Sequence, residues 1–462
     1  MSVAARPAVT PAQPWSFPAP QIDHLSNGLQ VVRVEVPGQH VLSVRLGIPV
    51  ALSAEPRHLQ GVATLMARGL DEGTERHTSQ QFAELIERHG IALGAGVGER
   101  GVVVEMEVLP HHFAASLDIM AQCLTEATYP DLEVARLKRA RLSDIEHEYA
   151  DAGARASLEF ARTYFEAQDR AARPVAGARD TVAAVTAEDI RAYHRRVMDP
   201  RGATLVVAGD SSGLDQPLLR LLERALKHWT APGAPGCEVD DSRGDSIGVR
   251  HDQAARVVLV DRPGSAQSHV LLGRPGPDRR TEHGWGAYQV LAFLLGGSPS
   301  ARIDAVLREE RGYTYGMRAQ FRPRRNTGVC SVSGAVRADA TAPALSALRQ
   351  VLALRGSDLT QREVRHGADF VAKTAPGRYS TADTIASEVV RLALDDLDVG
   401  FVTQTLDTAR SLTRDQAGAA WDEVADGPGW STIVVADAAS HLEPLSELGL
   451  GEITVVAAND AP

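Results

Sequence analysis

Apolar residues change their spacing several times along the chain, and each change predicts a different element. Val31 to Val36 and Val41 to Gly47 are runs rich in β-branched and aliphatic residues on either side of Pro37-Gly38, a turn signal, and predict a hairpin. Gly61 to Leu70 and Ser79 to Arg88 read as helices, the second with Phe82, Leu85 and Ile86 at the spacing of one helix face. Gly101 to Leu109 reads as a strand, and His111 to Ala127 and Asp131 to Tyr149 as helices. A polar, Ala-rich region then leads to a last strand, Thr204 to Ala208.

The same succession is written a second time. Val32-Arg33-Val34-Glu35-Val36-Pro37-Gly38 aligns with Val258-Leu259-Val260-Asp261-Arg262-Pro263-Gly264, an offset of 258 − 32 = 226. Ser43-Val44-Arg45-Leu46-Gly47 meets His269-Val270-Leu271-Leu272-Gly273 at the same offset (269 − 43 = 226). Leu85, Gly90 and Gly94 meet Leu307, Gly312 and Gly316 (307 − 85 = 222), and Leu205 to Ala208 meet Ile433 to Ala436 (433 − 205 = 228). A drift of a few residues is what insertions in surface loops produce. The expected architecture is α+β: two tandem homologous domains, each an antiparallel sheet with helices packed on it. The expected boundaries are a flexible arm at 1–20, a first domain at 21–229, a linker at 230–250 marked by Pro232 and Pro235, and a second domain at 251–462.

Composition narrows the function classes. A chain of 462 residues exceeds one ordinary core, which agrees with two domains. Charges or prolines interrupt every apolar run before the ~20 residues of a membrane span, and Met1 to Pro20 lacks the apolar run of a secretory signal, so no membrane association is expected. Cys123, Cys237 and Cys330 are odd in number and far apart, which argues against a disulfide framework or a cysteine zinc site and fits a cytoplasmic location. A formal charge of −11 with dispersed arginines disfavours nucleic acid.

Three segments carry candidate chemistry. The first is Gly61-Val62-Ala63-Thr64-Leu65-Met66-Ala67-Arg68, followed by Gly73-Thr74. The second is Leu295-Gly296-Gly297-Ser298-Pro299-Ser300-Ala301-Arg302-Ile303, and the third Leu307-Arg308-Glu309-Glu310-Arg311-Gly312-Tyr313-Thr314-Tyr315. Ser298 is a candidate helix N-cap with Pro299 at the first helical position, Ile303 and Leu307 form an apolar pair one turn apart, and Gly312 suits a left-handed C-terminal cap. Arg308 then falls on the last turns of a helix and Tyr315 on the following strand. The plain alternative is that Arg308 pairs with Glu309 or Glu310 while Tyr315 packs in the sheet. At the local offset the first copy has Ile86 opposite Arg308 and Leu93 opposite Tyr315, so the polar pair exists only in the second copy. Strand alternation places the nearby Arg318 and Arg322 away from the face of Tyr315.

From Asn27-Gly28-Leu29 onward these segments resemble the pitrilysin/insulinase superfamily, in particular its short chains related to mitochondrial processing peptidase. Active members of that family carry His-x-x-Glu-His on the first of these helices, two metal ligands and a general base on one face. Here Thr64, Ala67 and Arg68 stand at those positions, and the neighbourhood of the third ligand holds Ser143 and Asp144. None of the fifteen histidines begins such a motif elsewhere; His147-Glu148 through Asp151 reads as a solvated helix face and His111-His112 as surface or capping residues. The resemblance implies half of a clam shell that binds no zinc itself. It implies a homologous partner subunit carrying His-x-x-Glu-His and zinc, a peptide substrate, and no activity of this chain alone. It further implies that Arg308 holds a substrate carbonyl and that Tyr315 stabilises the oxyanion. Leader-peptide processing is one setting for such a pair, and a non-catalytic scaffold or peptide-binding subunit is the rival expectation.

Overall fold

The computed structural model describes residues 15–231, 248–250, 256–427 and 429–457; the expected linker falls mostly outside these, as does Cys237. The first sheet contains β1 (Gln21–His24), β2 (Gln30–Glu35), β3 (Leu42–Ile48), β4 (Ala92–Gly98), β5 (Gly101–Val108) and β6 (Thr204–Gly209), in the order β1-β2-β6-β3-β5-β4. The second contains β7 (Val257–Asp261), β8 (Gln267–Gly276), β9 (Arg318–Arg324), β10 (Thr327–Arg337), β11 (Ser431–Ala436) and β12 (Ile453–Val456), in the order β12-β7-β11-β8-β10-β9. Two α+β halves with the same strand order follow, as the repeat predicts.

The hairpin expected around Pro37-Gly38 does not form. β6 inserts between β2 and β3, parallel to the first and antiparallel to the second, so the sheets are mixed. The turn is satisfied by the end of β6 instead of by itself: Val36 N–H donates to the Gly209 carbonyl at 3.0 Å, Asp210 N–H to the Gln39 carbonyl at 2.9 Å, and Gly38 N–H to Asp210 Oδ2 at 2.9 Å. The second half repeats the arrangement, with Arg262 N–H on the Ala436 carbonyl at 2.8 Å and Gly264 N–H on Asp437 Oδ2 at 3.0 Å. A strand whose own neighbour is supplied from far along the chain cannot be distinguished from a hairpin strand by its local pattern.

Seven helices matter below. The first half provides α1 (Val62–Arg68), α2 (Ser79–His89), α3 (Asp131–Ala150) and α4 (Ala152–Tyr164). The second provides α5 (Trp285–Gly296), α6 (Arg302–Asp304, continued by a π-turn through Ala305–Glu310) and α7 (Ala382–Leu394). Each sheet buries one face under helices of its own half and the other under a helix of the opposite half. α4 lies on β8 and β11, where Ala156, Phe160 and Tyr164 are buried with Val258, Val260, Leu271, Ile433 and Val435. α7 lies on β3 and β6, and its Asp383 accepts from buried Arg45, which also donates to Glu107 Oε1 at 2.7 Å. Two glycines that the repeat aligns make room for the exchange. A Cβ on Gly47 would come within 2.6 Å of Val390 in α7, and one on Gly273 within 2.3 Å of Phe160 in α4. The two helix residues are themselves one repeat apart (390 − 160 = 230).

Of the expected flexible arm, residues 15–20 are described, and they are held. Trp15 stacks on Tyr379 at 5.8 Å, Phe17 is buried, and the Trp15 carbonyl accepts from Arg410 at 2.9 Å. Burying Phe17 and half-burying Trp15 offsets the entropy of ordering the short segment that carries them.

Candidate active site

Glu55 sets up α1. Its Oε1 accepts from the N–H groups of Gly61 and Ala63, both at 3.0 Å, so a carboxylate serves the orphan donors at the helix start. Gly61 there has φ +100°, a left-handed conformation, and an added Cβ would lie 2.8 Å from the Ala176 carbonyl oxygen. Burial raises the Glu55 carboxyl above the ordinary range, opposed by Arg170, whose Nη2 lies 2.9 Å from Glu55 Oε2. Val62, Ala63, Leu65, Met66 and Ala67 are buried, which leaves Thr64 and Arg68 on the outer face.

Arg68 Nη1 meets Asp144 Oδ2 of α3 at 2.7 Å. Both residues were legible as substitutions at metal-site positions; that they join was not. Thr64 offers only a neutral hydroxyl, Ala67 no donor, and Asp144 a single carboxylate already neutralised by a guanidinium. This donor set does not suit a dication. Among the described residues no group of three His, Cys, Asp or Glu side chains is placed to hold a metal. The nearest sequence imitation is structural as well: Glu148 Oε1 accepts from buried Arg141 at 2.5 Å, and Asp151 caps α4 through the Ala154 N–H at 2.7 Å.

In the second half Gly296 lets α5 touch β9, for a Cβ there would sit 2.6 Å from the Ala319 nitrogen. The expected cap at Ser298 is absent. α6 begins at Arg302 after Ala301, and Ser298 Oγ instead faces Ser300 Oγ at 3.3 Å, because the preceding residues close a turn in which Ala301 N–H donates to the Ser298 carbonyl at 3.0 Å. Ile303 and Leu307 are both fully buried and hold the helix down. Arg302 is not free for substrate; Nε and Nη2 grip Glu363 at 2.8 and 3.0 Å. The π-turn delivers Arg308 to the surface, where Nε lies 3.5 Å from Glu309 Oε1. Gly312 has the expected left-handed conformation, φ +63°.

Tyr315 stands before β9, not on it, which corrects its expected strand position. Thr314 is the anchor: it bridges Val336 of β10, and its Oγ1 donates to the Ala335 carbonyl at 2.6 Å and accepts from Gly316 N–H at 3.0 Å. The neighbouring Tyr315 side chain projects outward and is 92% exposed, whereas Met317, Ala319 and Phe321 are buried. The expected alternation thus begins at Met317. The plain alternative holds in part: Arg308 does touch Glu309, but Tyr315 is exposed and not packed in the sheet.

Residues 30–172 match the family profile described as insulinase (peptidase family M16), and residues 184–368 the profile described as peptidase M16 inactive domain. The chain belongs to the M16 peptidase family. Among M16 relatives, an uncharacterized zinc protease of Streptomyces coelicolor is 26% identical over 403 residues, 85% of this chain and 86% of that protein. A Helicobacter pylori protein named non-peptidase homolog YmxG is 21% identical over 265 residues, 57% of this chain and 58% of that one. The crystal structure of a peptidase M16 inactive domain from Pseudomonas fluorescens shares the fold, with a TM-score of 0.80 at 20% identity over 90% of this chain and 98% of that chain.

Proposed function

We propose that this M16 chain is the non-metal subunit of a two-chain zinc peptidase of the cytoplasm, completing the active site of a homologous partner that carries His-x-x-Glu-His. The supporting observation is the contrast between two outer surfaces: an internal Arg68–Asp144 ion pair takes up the metal-site positions, while Arg308 and Tyr315 stand exposed on an anchored turn. In this reading the partner's His-x-x-Glu-His residues would hold a zinc ion, which would supply the activated water. Arg308, released from its long contact with Glu309, donates to a backbone carbonyl of the peptide and fixes its register. Tyr315 O–H donates to the oxygen that gains charge as the peptide carbon becomes tetrahedral, and its exposure leaves it free to reach across a subunit interface. The outer edge of β4, which has no strand neighbour among the described residues, could take an extended peptide as an added strand. Leader-peptide processing is a setting that suits such a pair.

The test mixes the chain with an M16 relative bearing His-x-x-Glu-His and an internally quenched peptide. Turnover is expected only with both chains present, and is expected to fall with Tyr315→Phe or Arg308→Ala. Hydrolysis by this chain alone, or turnover indifferent to both substitutions, would sink the reading. The second reading is a non-catalytic peptide-binding or scaffold subunit, favoured by the Helicobacter pylori relative whose name denies it peptidase activity. It predicts peptide binding with no turnover in any pairing.

A further inference from the structure

Phe17 joins the apolar cluster that includes one face of the first sheet and α7. It is buried in one cluster with Val32, Val34, Val206 and Ala208, its ring 5.0 Å from that of Tyr379. The repeat gives the second sheet the same surface, since Val32 and Val34 correspond to Val258 and Val260 (258 − 32 = 226, 260 − 34 = 226) and both face α4. Among the described residues that surface is only partly covered. A groove of about 890 Å³ opens over Val258, between Leu158 of α4 and Thr454 of the edge strand β12.

The rim of this groove is cationic in a protein whose net charge is −11. Arg57, Arg162, Arg173, Arg250 and Arg256 line it, against Glu159 and Asp180. Glu159 is already committed, 3.0 Å from Arg155 and 3.9 Å from Arg162. Arg173 is held by uncharged groups, donating to Gln60 Oε1 at 2.9 Å and the Ala167 carbonyl at 2.8 Å. Arg57, Arg250 and Arg256 pair with no carboxylate among the described residues. Burial, then the nearby charges of Arg57 and Arg170, hold the Arg173 guanidinium below arginine's ordinary range, as crowded positive charge does.

We propose that this groove docks an acidic peptide segment, one apolar side chain seated against Leu158 and Val258, with flanking carboxylates on the arginines. Neither Arg308 nor Tyr315 lines the groove, and the proposal does not depend on their role. An apolar floor beneath separated guanidiniums suits alternating apolar and acidic side chains; nucleic acid would call for aromatic stacking platforms, and the groove lining holds one imidazole, His58, and no Phe, Tyr or Trp.

The experiment uses the full chain and a fluorescein-labelled decapeptide of Asp and Glu with one central Phe, followed by anisotropy. Saturable binding is expected, weakened about tenfold when the acids become Asn and Gln, and by a similar factor in the variant Arg57→Glu/Arg256→Glu. Replacing the central Phe by Ser is expected to weaken binding as well. Arg349→Glu, on the exposed side of the Thr341–Leu352 helix, is expected to leave it unchanged. If the double reversal lowers the unfolding midpoint, Arg57→Gln/Arg256→Gln is measured in its place. The proposal is overturned if the neutral peptide binds equally well, if Arg349→Glu weakens binding as much, or if oligothymidine binds as tightly as the peptide. It is also overturned if binding emerges only once Glu238, Asp240 and Asp241 of the same chain are neutralised.

Discussion

The helix-and-turn segments of the two halves descend on the same plan and end in opposite ways. In the first, Ile86 of α2 and Leu93 of β4 pack partly buried against the core, and the polar groups at α1 are tied to one another through Arg68 and Asp144. In the second, the corresponding Arg308 and Tyr315 face solvent, although the backbone beneath them is fixed by Ile303, Leu307 and Thr314. A segment kept only for stability has no use for an exposed phenol on a rigid base. The first half therefore spends its side chains on packing and pairing, and the second keeps Tyr315 exposed and Arg308 in no more than a long contact with Glu309.

The sharpest way to break this comparison is by turnover. In the proposed two-chain enzyme, Tyr315→Phe or Arg308→Ala should lower kcat/KM by about 100-fold, roughly 3 kcal/mol of transition-state stabilisation, with little change in thermal midpoint because neither side chain is packed. Steady-state kinetics beside a melting curve would separate the two. The exchanged helix should show the reverse: Phe160→Ala is expected to cost roughly 3 kcal/mol in urea unfolding by emptying the space over Gly273.

A pH series extends the contrast. Burial holds the His194 imidazole down at about 4, so it stays neutral in the folded chain while the unfolded chain takes up a proton near 6.5. The unfolded state then binds more protons between those values. Stability from this residue is complete above pH 6.5 and declines as pH falls towards 4, by roughly 3 kcal/mol over the window. His194→Asn should flatten that slope, read from urea midpoints at each pH. Ile86→Ala should cost roughly 1.5 kcal/mol and leave turnover untouched. The smallest effect belongs to Arg68→Ala: the ion pair is about 40% exposed on both sides, so a loss of about 0.5 kcal/mol, shrinking with salt, is expected.

Much of this was legible in the sequence, because the repeat fixes two similar halves and the aligned valines identify matching strands. The residues at 64, 67 and 68 could be read as departures from His-x-x-Glu-His, and the spacing from Leu307 to Tyr315 marked Arg308 and Tyr315 as candidates. Long-range pairing was hidden. Nothing local to Pro37-Gly38 shows that residues near 205 will pass between the flanking strands. Gly47 and Gly273 were visible as aligned positions, but their purpose, admitting a helix from the other half, exists only in three dimensions. Ser298 met every local rule for a cap and lost to a turn that starts the helix three residues later.

The reciprocal exchange of α4 and α7 also constrains how the protein is made. On the ribosome, the strands bearing Val32 and Val206 are complete long before the residues that cover them, Ala382–Leu394, have been translated. During that interval one apolar wall of the nascent sheet has no cover from its own chain, and a chaperone or the delay itself must keep it from sticking to neighbours. Neither half can mature ahead of the other.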